Sequence, residues 1–373
     1  MKCLLKTIIY IIVLLLFMIS PHAHAEDFGQ DELSAALPEE ARQILNENDI
    51  TPDNAGALGL SPLTVLKGLW TVISDEIMKP LKMLAALTGV ILLCAAAETL
   101  RAASESAGGA GRASDAFGLA GVLAGSGMMI MYISDTVARA VETLNTGGVF
   151  LLTFIPVFAG IMAVAGQITT ASVFSISLIT AAQVFTYVNS IILTPLAGCI
   201  LGVSTAGAIS PDLKVDALAG AIKKVVVWSL GLLVTLFTGL LSLQSFISSS
   251  ADTLALRAMK FTVSSSVPFI GGAVGDALAA VRGSINLLRS STGTFGIIAG
   301  LIIILPTLVS VFCHKIALGI AAAISDVFGL ERLSSLLRSG EGVLGIIFAL
   351  LICFALVAVV SVGLMLFMWN GGV

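Results

Sequence analysis

The chain has 373 residues, 57% of them hydrophobic and 11% charged, with a mean hydropathy of +1.04. Soluble domains carry about a quarter charged residues, so this composition excludes an ordinary water-soluble core and indicates a membrane protein. The formal net charge of −4 is small and selects neither nucleic acid nor an anionic membrane surface as a partner.

The first 25 residues have the layout of a cleavable signal peptide. "MKCLLK" is a positive n-region, "TIIYIIVLLLFMIS" an apolar h-region, and Ala23-His24-Ala25 an A-x-A cleavage site. Ala23 and Ala25 are the signal-cleavage residues, which leaves Glu26 as the mature start. Residues 26–80 form an acidic segment, expected outside the cytoplasm because it follows the signal and is poor in Lys and Arg. Within it, Pro38 before "EEARQIL" predicts a helix start, with acids near the positive end of the helix dipole. "SPLTVLKGLWTVISDEIMKPL" predicts an amphipathic approach to the bilayer, with Trp70 at the interface.

Residues 81–373 read as a polytopic transmembrane domain. Apolar runs occupy 83–97, 116–134, 148–166, 171–209, 225–247, 295–312 and 343–369. A span needs about 20 residues, so 171–209 reads as a helical hairpin turning around Asn189 to Pro195. The expectation is an all-α fold of about seven or eight spans. Lys214, Lys223 and Lys224 suggest a cytoplasmic 210–224 loop. A simple count then puts 248–294 outside, although it carries Arg257, Lys260, Arg282 and Arg289. Either the count is off by one or part of that stretch is buried in the membrane.

Residues 261–290 are the least regular part. A helix after Pro268 aligns Val274, Leu278, Val281, Ile285 and Leu288 as one apolar stripe. Asp276, Arg282, Gly283, Asn286 and Arg289 gather on the other side. Such a face does not suit lipid, so the segment lies in the interface as an amphipathic helix or re-enters the membrane against protein or water. Broken helices of this kind mark substrate or ion paths in transporters. The candidate channel-lining or partner-docking residues are Pro268, Gly271, Gly272, Gly275, Asp276, Arg282 and Asn286.

Catalytic signatures do not appear. The chain has no G-x-x-x-x-G-K-[ST] loop, no H-E-x-x-H and no G-x-S-x-G elbow. After signal cleavage His314 is the only histidine, and beside Lys315 it reads as an interfacial side chain. Cys94, Cys199, Cys313 and Cys353 lie in apolar runs without disulfide or zinc spacing and read as small buried hydrophobes. Gln167, Gln183, Asn189 and Gln244 read as interhelical polar glue. The expectation is a protein that is not an enzyme and takes no cofactor or metal.

The stretch "DTLALRAMKFTVSSSVPFIGGAVGDALAAVRGSINLLRSSTGTFGII", 252–298, resembles the stage III sporulation protein AE family. The likeness is carried by Leu256-Arg257 with Lys260-Phe261, Pro268 with Gly271-Gly272, Asp276-Ala277, Gly283-Ser284 with Leu287, and Gly293 with Gly296-Ile297. "TFIPVFAGIMAVAGQITTASVF", 153–174, is similar to a second family region; the C-terminal "MWNGGV" departs from the family's ending. The resemblance implies a polytopic protein of the mother-cell membrane, part of a channel or secretion-like complex linking mother cell and forespore and needed for forespore development. It implies as partners the other stage III sporulation A-operon proteins, including a separate cytoplasmic ATPase, and stage II sporulation protein Q of the forespore membrane. The lipid bilayer is the remaining partner, with no nucleic acid. The competing class is a stand-alone secondary transporter for a small solute, which the broken-helix signs also fit.

Overall fold

A computed structural model of the chain describes residues 30–47, 50–52, 55, 62–106, 112–187, 195, 198–199, 202, 215–266 and 271–367. Every element among them is an α-helix, in agreement with the all-α expectation. Two short helices, α1 (Gln30–Ala35) and α2 (Glu39–Glu47), precede six longer ones. These are α3 (Pro62–Ser106), α4 (Arg112–Val164), α5 (Ile168–Tyr187), α6 (Val215–Ser266), α7 (Gly271–Val327) and α8 (Glu331–Phe367). The signal peptide with Ala23 and Ala25 lies outside the described residues, as do Asn189 and Pro268.

Among the described residues, five helical segments are long and apolar enough to cross a bilayer: Glu76–Thr99, Ala120–Val164, Gly220–Ala255, Ser290–Val327 and Glu331–Gly363. Ile168–Val184 is a shorter apolar helix. The sequence-based count of seven or eight treats 116–134 and 148–166 as separate spans, but the structure joins them in the single helix α4. It also includes the second arm of 171–209, most of which lies outside the described residues. Likewise 271–294 and 295–312 are parts of one helix, α7, which begins just after Pro268 as the periodicity predicts.

Two tight turns fold these helices into antiparallel pairs. At the end of α4, Gly166 takes φ 86° while its N–H donates to Ala163 O and that of Gln167 to Met162 O. At the end of α7, Gly329 takes φ 73°, with Gly329 N–H donating to Asp326 O and Leu330 N–H to Ser325 O. Both are Schellman closures, in which a left-handed residue, best supplied by glycine, satisfies the last helical carbonyls. Each lets the next helix start almost at once. The α7–α8 pair is the most extensive packing among the described residues, and α3, α4 and α6 surround it.

The contacts set a common height scale. Place the bundle axis vertical, with the α4–α5 turn at the bottom and the α7–α8 turn at the top. Near the bottom, Asp252 of α6 bonds to Thr170 of α5, and Leu366 of α8 meets Gly293 of α7. Ser291 of α7 donates to Pro52 O at 2.6 Å, so the N-terminal segment also packs at this end. At mid-height Glu76 of α3 meets Ser310 of α7, Thr143 of α4 meets Thr307, and Lys223 of α6 meets Gly345 of α8. Near the top, Gly125 of α4 faces Leu333 of α8 and Val90 of α3.

The 57 residues of α7 extend about 85 Å at 1.5 Å per residue. The hydrocarbon core of a bilayer is about 30 Å thick, so α7 is longer than one bilayer, with about 36 Å of it (290–313) below mid-height and about 18 Å (316–327) above. In the lower half Phe150, Phe154 and Phe158 stack at centroid distances of 5.8 and 5.4 Å, all buried. A methyl group on Gly296 of α7 would overlap the Phe154 ring, so glycine is what lets α4 and α7 approach here.

Candidate functional site: a charged belt across the bundle

Between the two halves lies a belt of ionisable and hydroxyl side chains from several helices. Ser310 Oγ donates to Glu76 Oε2 at 2.8 Å, a contact between α7 and α3. Lys79 pairs with the other oxygen, Glu76 Oε1, and Arg139 of α4 approaches it at 3.5 Å. Arg139 also pairs with Asp135 at 2.8 Å, one turn away on the same helix. His314 is buried beside this group, with Nδ1 2.8 Å from Ser310 O. Thr143 and Thr307 share a hydrogen bond of 2.7 Å just below. Across the bundle, the position a Cβ would take on Gly345 lies 3.2 Å from Lys223 Nζ and 3.7 Å from Lys315 Cε.

The local sequence explains why these groups gather. Pro80 and Pro306 lie inside α3 and α7 close to the belt. A proline inside a helix removes one N–H and leaves a carbonyl without its helical donor. Polar side chains held within apolar helices are expensive unless they pair with one another. Glu76 shows the solution: its side chain is only 18% exposed, and three groups from three helices meet it. Sequence reading assigned Glu76 to the acidic outer segment and His314 to the interface. The structure buries His314 within the bundle and brings it near Glu76. The available signal was that Glu142, Lys224, Lys315 and Glu341 each end a long uncharged run, and these ends fall within about 16 Å of one another along the bundle.

A cavity of about 340 Å³ opens above the belt between α6, the end of α7 and α8, lined by Lys223, Asp326, Ser334, Arg338 and Gly342 among others. Arg338 pairs with Asp326 across it. An apolar groove of about 600 Å³ runs between α5 and α6 in the lower half. There Ser177 donates to Gln244 Oε1 at 2.7 Å, the interhelical role expected of that amide. Gln167 differs, since its Oε1 is buried without a hydrogen-bond partner, and Gln183 is exposed. No group of three or more His, Cys, Asp or Glu side chains is placed to hold a metal among the described residues.

The residues singled out in 261–290 lie apart from the belt. Gly271, Gly272, Gly275, Asp276, Arg282 and Asn286 fall on the first turns of α7, beyond the bottom of the uncharged half. Their side chains and all of Pro268 lie outside the described part of the structure, so the belt and not this segment is the site with visible geometry.

Comparison with known proteins adds the following. Residues 47–368 match the family described as "Stage III sporulation protein AE". The chain is 23% identical over 269 residues to "Stage III sporulation protein AE" of Bacillus subtilis (strain 168), a match that covers 71% of this chain and 64% of that protein. No solved structure matches.

Proposed function

Because the chain belongs to the stage III sporulation protein AE family, we propose that it is an integral membrane component of a sporulation channel or secretion-like complex linking mother cell and forespore. The observation that carries this reading is the family match over residues 47–368, joined to a helical bundle with five bilayer-length apolar segments. In this role it resides in the mother-cell membrane facing the forespore, enters by a cleaved signal peptide, and catalyses no reaction. Energy comes from a separate cytoplasmic ATPase among the other stage III sporulation A-operon proteins. Stage II sporulation protein Q is reached through the complex.

Affinity purification of the tagged protein from a sporulating culture tests the proposal. The other stage III sporulation proteins are expected to co-purify only after engulfment begins. Recovery of the protein alone, at equal level in vegetative cells, would point to the stand-alone transporter. Within the complex, Asp276 and Arg282 line the passage or dock a partner, so Asp276→Leu with Arg282→Leu is expected to block spore formation; normal spore yield would remove that role.

A further inference from the structure

The apolar helices cannot all share one flat bilayer. The apolar part of α3 rises from the belt, whereas that of α6 descends from it. A bilayer of about 30 Å covers only one of the two heights.

Charge placement decides which. In the lower half, residues 143–187 of α4 and α5, 225–251 of α6, 290–313 of α7 and 342–367 of α8 contain no Asp, Glu, Lys or Arg, and only the start of α3, 62–75, carries charges there, Lys67 and Asp75. Each of the long runs reaches the roughly 20 residues that a span needs. All four long helices meet their first charges at the belt: Glu142, Lys224, Lys315 and Glu341. In the upper half only α4 keeps a comparable uncharged run, 116–134, and the other runs are interrupted. Residues 83–97 end at Glu98, 316–325 end at Asp326, and α8 carries Glu331, Arg332 and Arg338 within its first turns. The charged cavity at Asp326 and Arg338 lies in this half too. Trp228, 68% exposed, sits one turn below Lys224, the position aromatic residues favour at a membrane boundary.

We infer that the bilayer surrounds only the lower half, that the exposed basic side chains of the belt, Lys79, Lys82, Arg139 and Lys224, seat among anionic lipid headgroups, and that the upper half projects out of the membrane. The net charge of the whole chain is −4, but these four cations share one level where the lipid surface would lie. Glu76, Asp135 and the exposed Glu142 neutralise part of the set, and Lys82 and Lys224 are its most exposed members. This placement is independent of which complex the chain joins.

Spin labels on the full-length protein in liposomes of phosphatidylglycerol and phosphatidylcholine test it. Cysteines are introduced singly, as Leu240→Cys, Phe246→Cys, Leu93→Cys and Met131→Cys, in a background with the native cysteines replaced by alanine. All four parent side chains are exposed, Phe246 at 77% and Leu93 at 73%, so the labels do not disturb packing. Labels at 240 and 246 are expected to collide with dissolved oxygen severalfold more than with a water-soluble nickel chelate. Labels at 93 and 131 are expected to show the reverse. Any other pattern, including all four deep or all four shallow, overturns the placement. For the headgroup contact, Lys82→Gln and Lys224→Gln are each expected to reduce the preference for spin-labelled phosphatidylglycerol over phosphatidylcholine about fivefold. An unchanged preference in the double variant overturns that part.

Discussion

Asp252 is 4% exposed at the lower end of α6, and its carboxylate closes the first turn of α5, more than eighty residues earlier in the chain. Oδ1 accepts from Thr169 N–H at 3.0 Å, and Oδ2 accepts from Thr170 N–H at 2.8 Å and Thr170 Oγ1 at 2.6 Å. The first N–H groups of a helix have no partner within it. A Ser, Thr, Asp or Asn just ahead of the helix commonly supplies one. Here that place is held by Gln167, which is poorly suited to cap, so the acceptor comes from another helix. The positive end of the α5 dipole and three donors offset the cost of burying a charge. Asp252→Ala strands two N–H groups and a hydroxyl, each at about 1–3 kcal/mol, and is expected to lower the thermal unfolding midpoint in detergent. Asp252→Asn keeps one acceptor oxygen and turns an NH₂ towards the donors, so its midpoint is expected between those of Ala and wild type. An Ala variant as stable as wild type would show that the cap holds nothing. No local pattern in the sequence could have revealed this bond, because its partners are brought together only by the fold.

The helices themselves were more legible than their joins. Pro38 marks the start of α2, and the stripe after Pro268 marks the start of α7. Apolar runs locate the cores of the long helices, because lipid and packed protein both select the same residues. Continuity of α4 through 135–147 was not legible. Asp135, Arg139 and Glu142 read as a loop when each charge is assumed to face lipid or water alone. In the fold, the Asp135–Arg139 pair, Glu76 and Thr307 satisfy that stretch, and the helix continues. Glycines at helix contacts were equally ambiguous, since Gly296 and Gly300 look alike in sequence. Only Gly296 is pressed against a neighbour, the Phe154 ring, while Gly300 has open space. Gly296→Ala is therefore expected to cost about 1–3 kcal/mol by overpacking, and Gly300→Ala to be near neutral. Detergent unfolding of both variants, with Phe154→Leu added to relieve the first, checks the assignment. A cost at Gly296 that Phe154→Leu leaves unchanged would place the strain elsewhere.

At the scale of the whole molecule, the belt joins two halves that face different surroundings. Membrane helices gain little by hiding apolar surface from one another, because lipid is as apolar as their partners. What fixes their relative height is then close packing, as where Gly296 meets the Phe154 ring, and the paired polar groups of the belt. Thr143 and Thr307 are a suitable reporter because their hydroxyls, 2.7 Å apart, join α4 to α7 at the level where the uncharged runs begin. If α4 were two spans joined by a loop at 135–147, as its sequence suggests, Thr143 would lie in that loop and not beside the middle of α7. In a background with the native cysteines replaced by alanine, Thr143→Cys with Thr307→Cys is expected to form a disulfide under mild oxidation within one chain. It would be seen as a faster-migrating monomer that reverts on reduction. Shifting one partner by two residues, to Asn145→Cys with Thr307→Cys, turns the side chain to the other side of α4 and is expected to abolish the cross-link. Equal cross-linking of both pairs, or cross-linking only between chains, would mean that the two helices are not locked at this height, and the two-level arrangement of the bundle would fall with it.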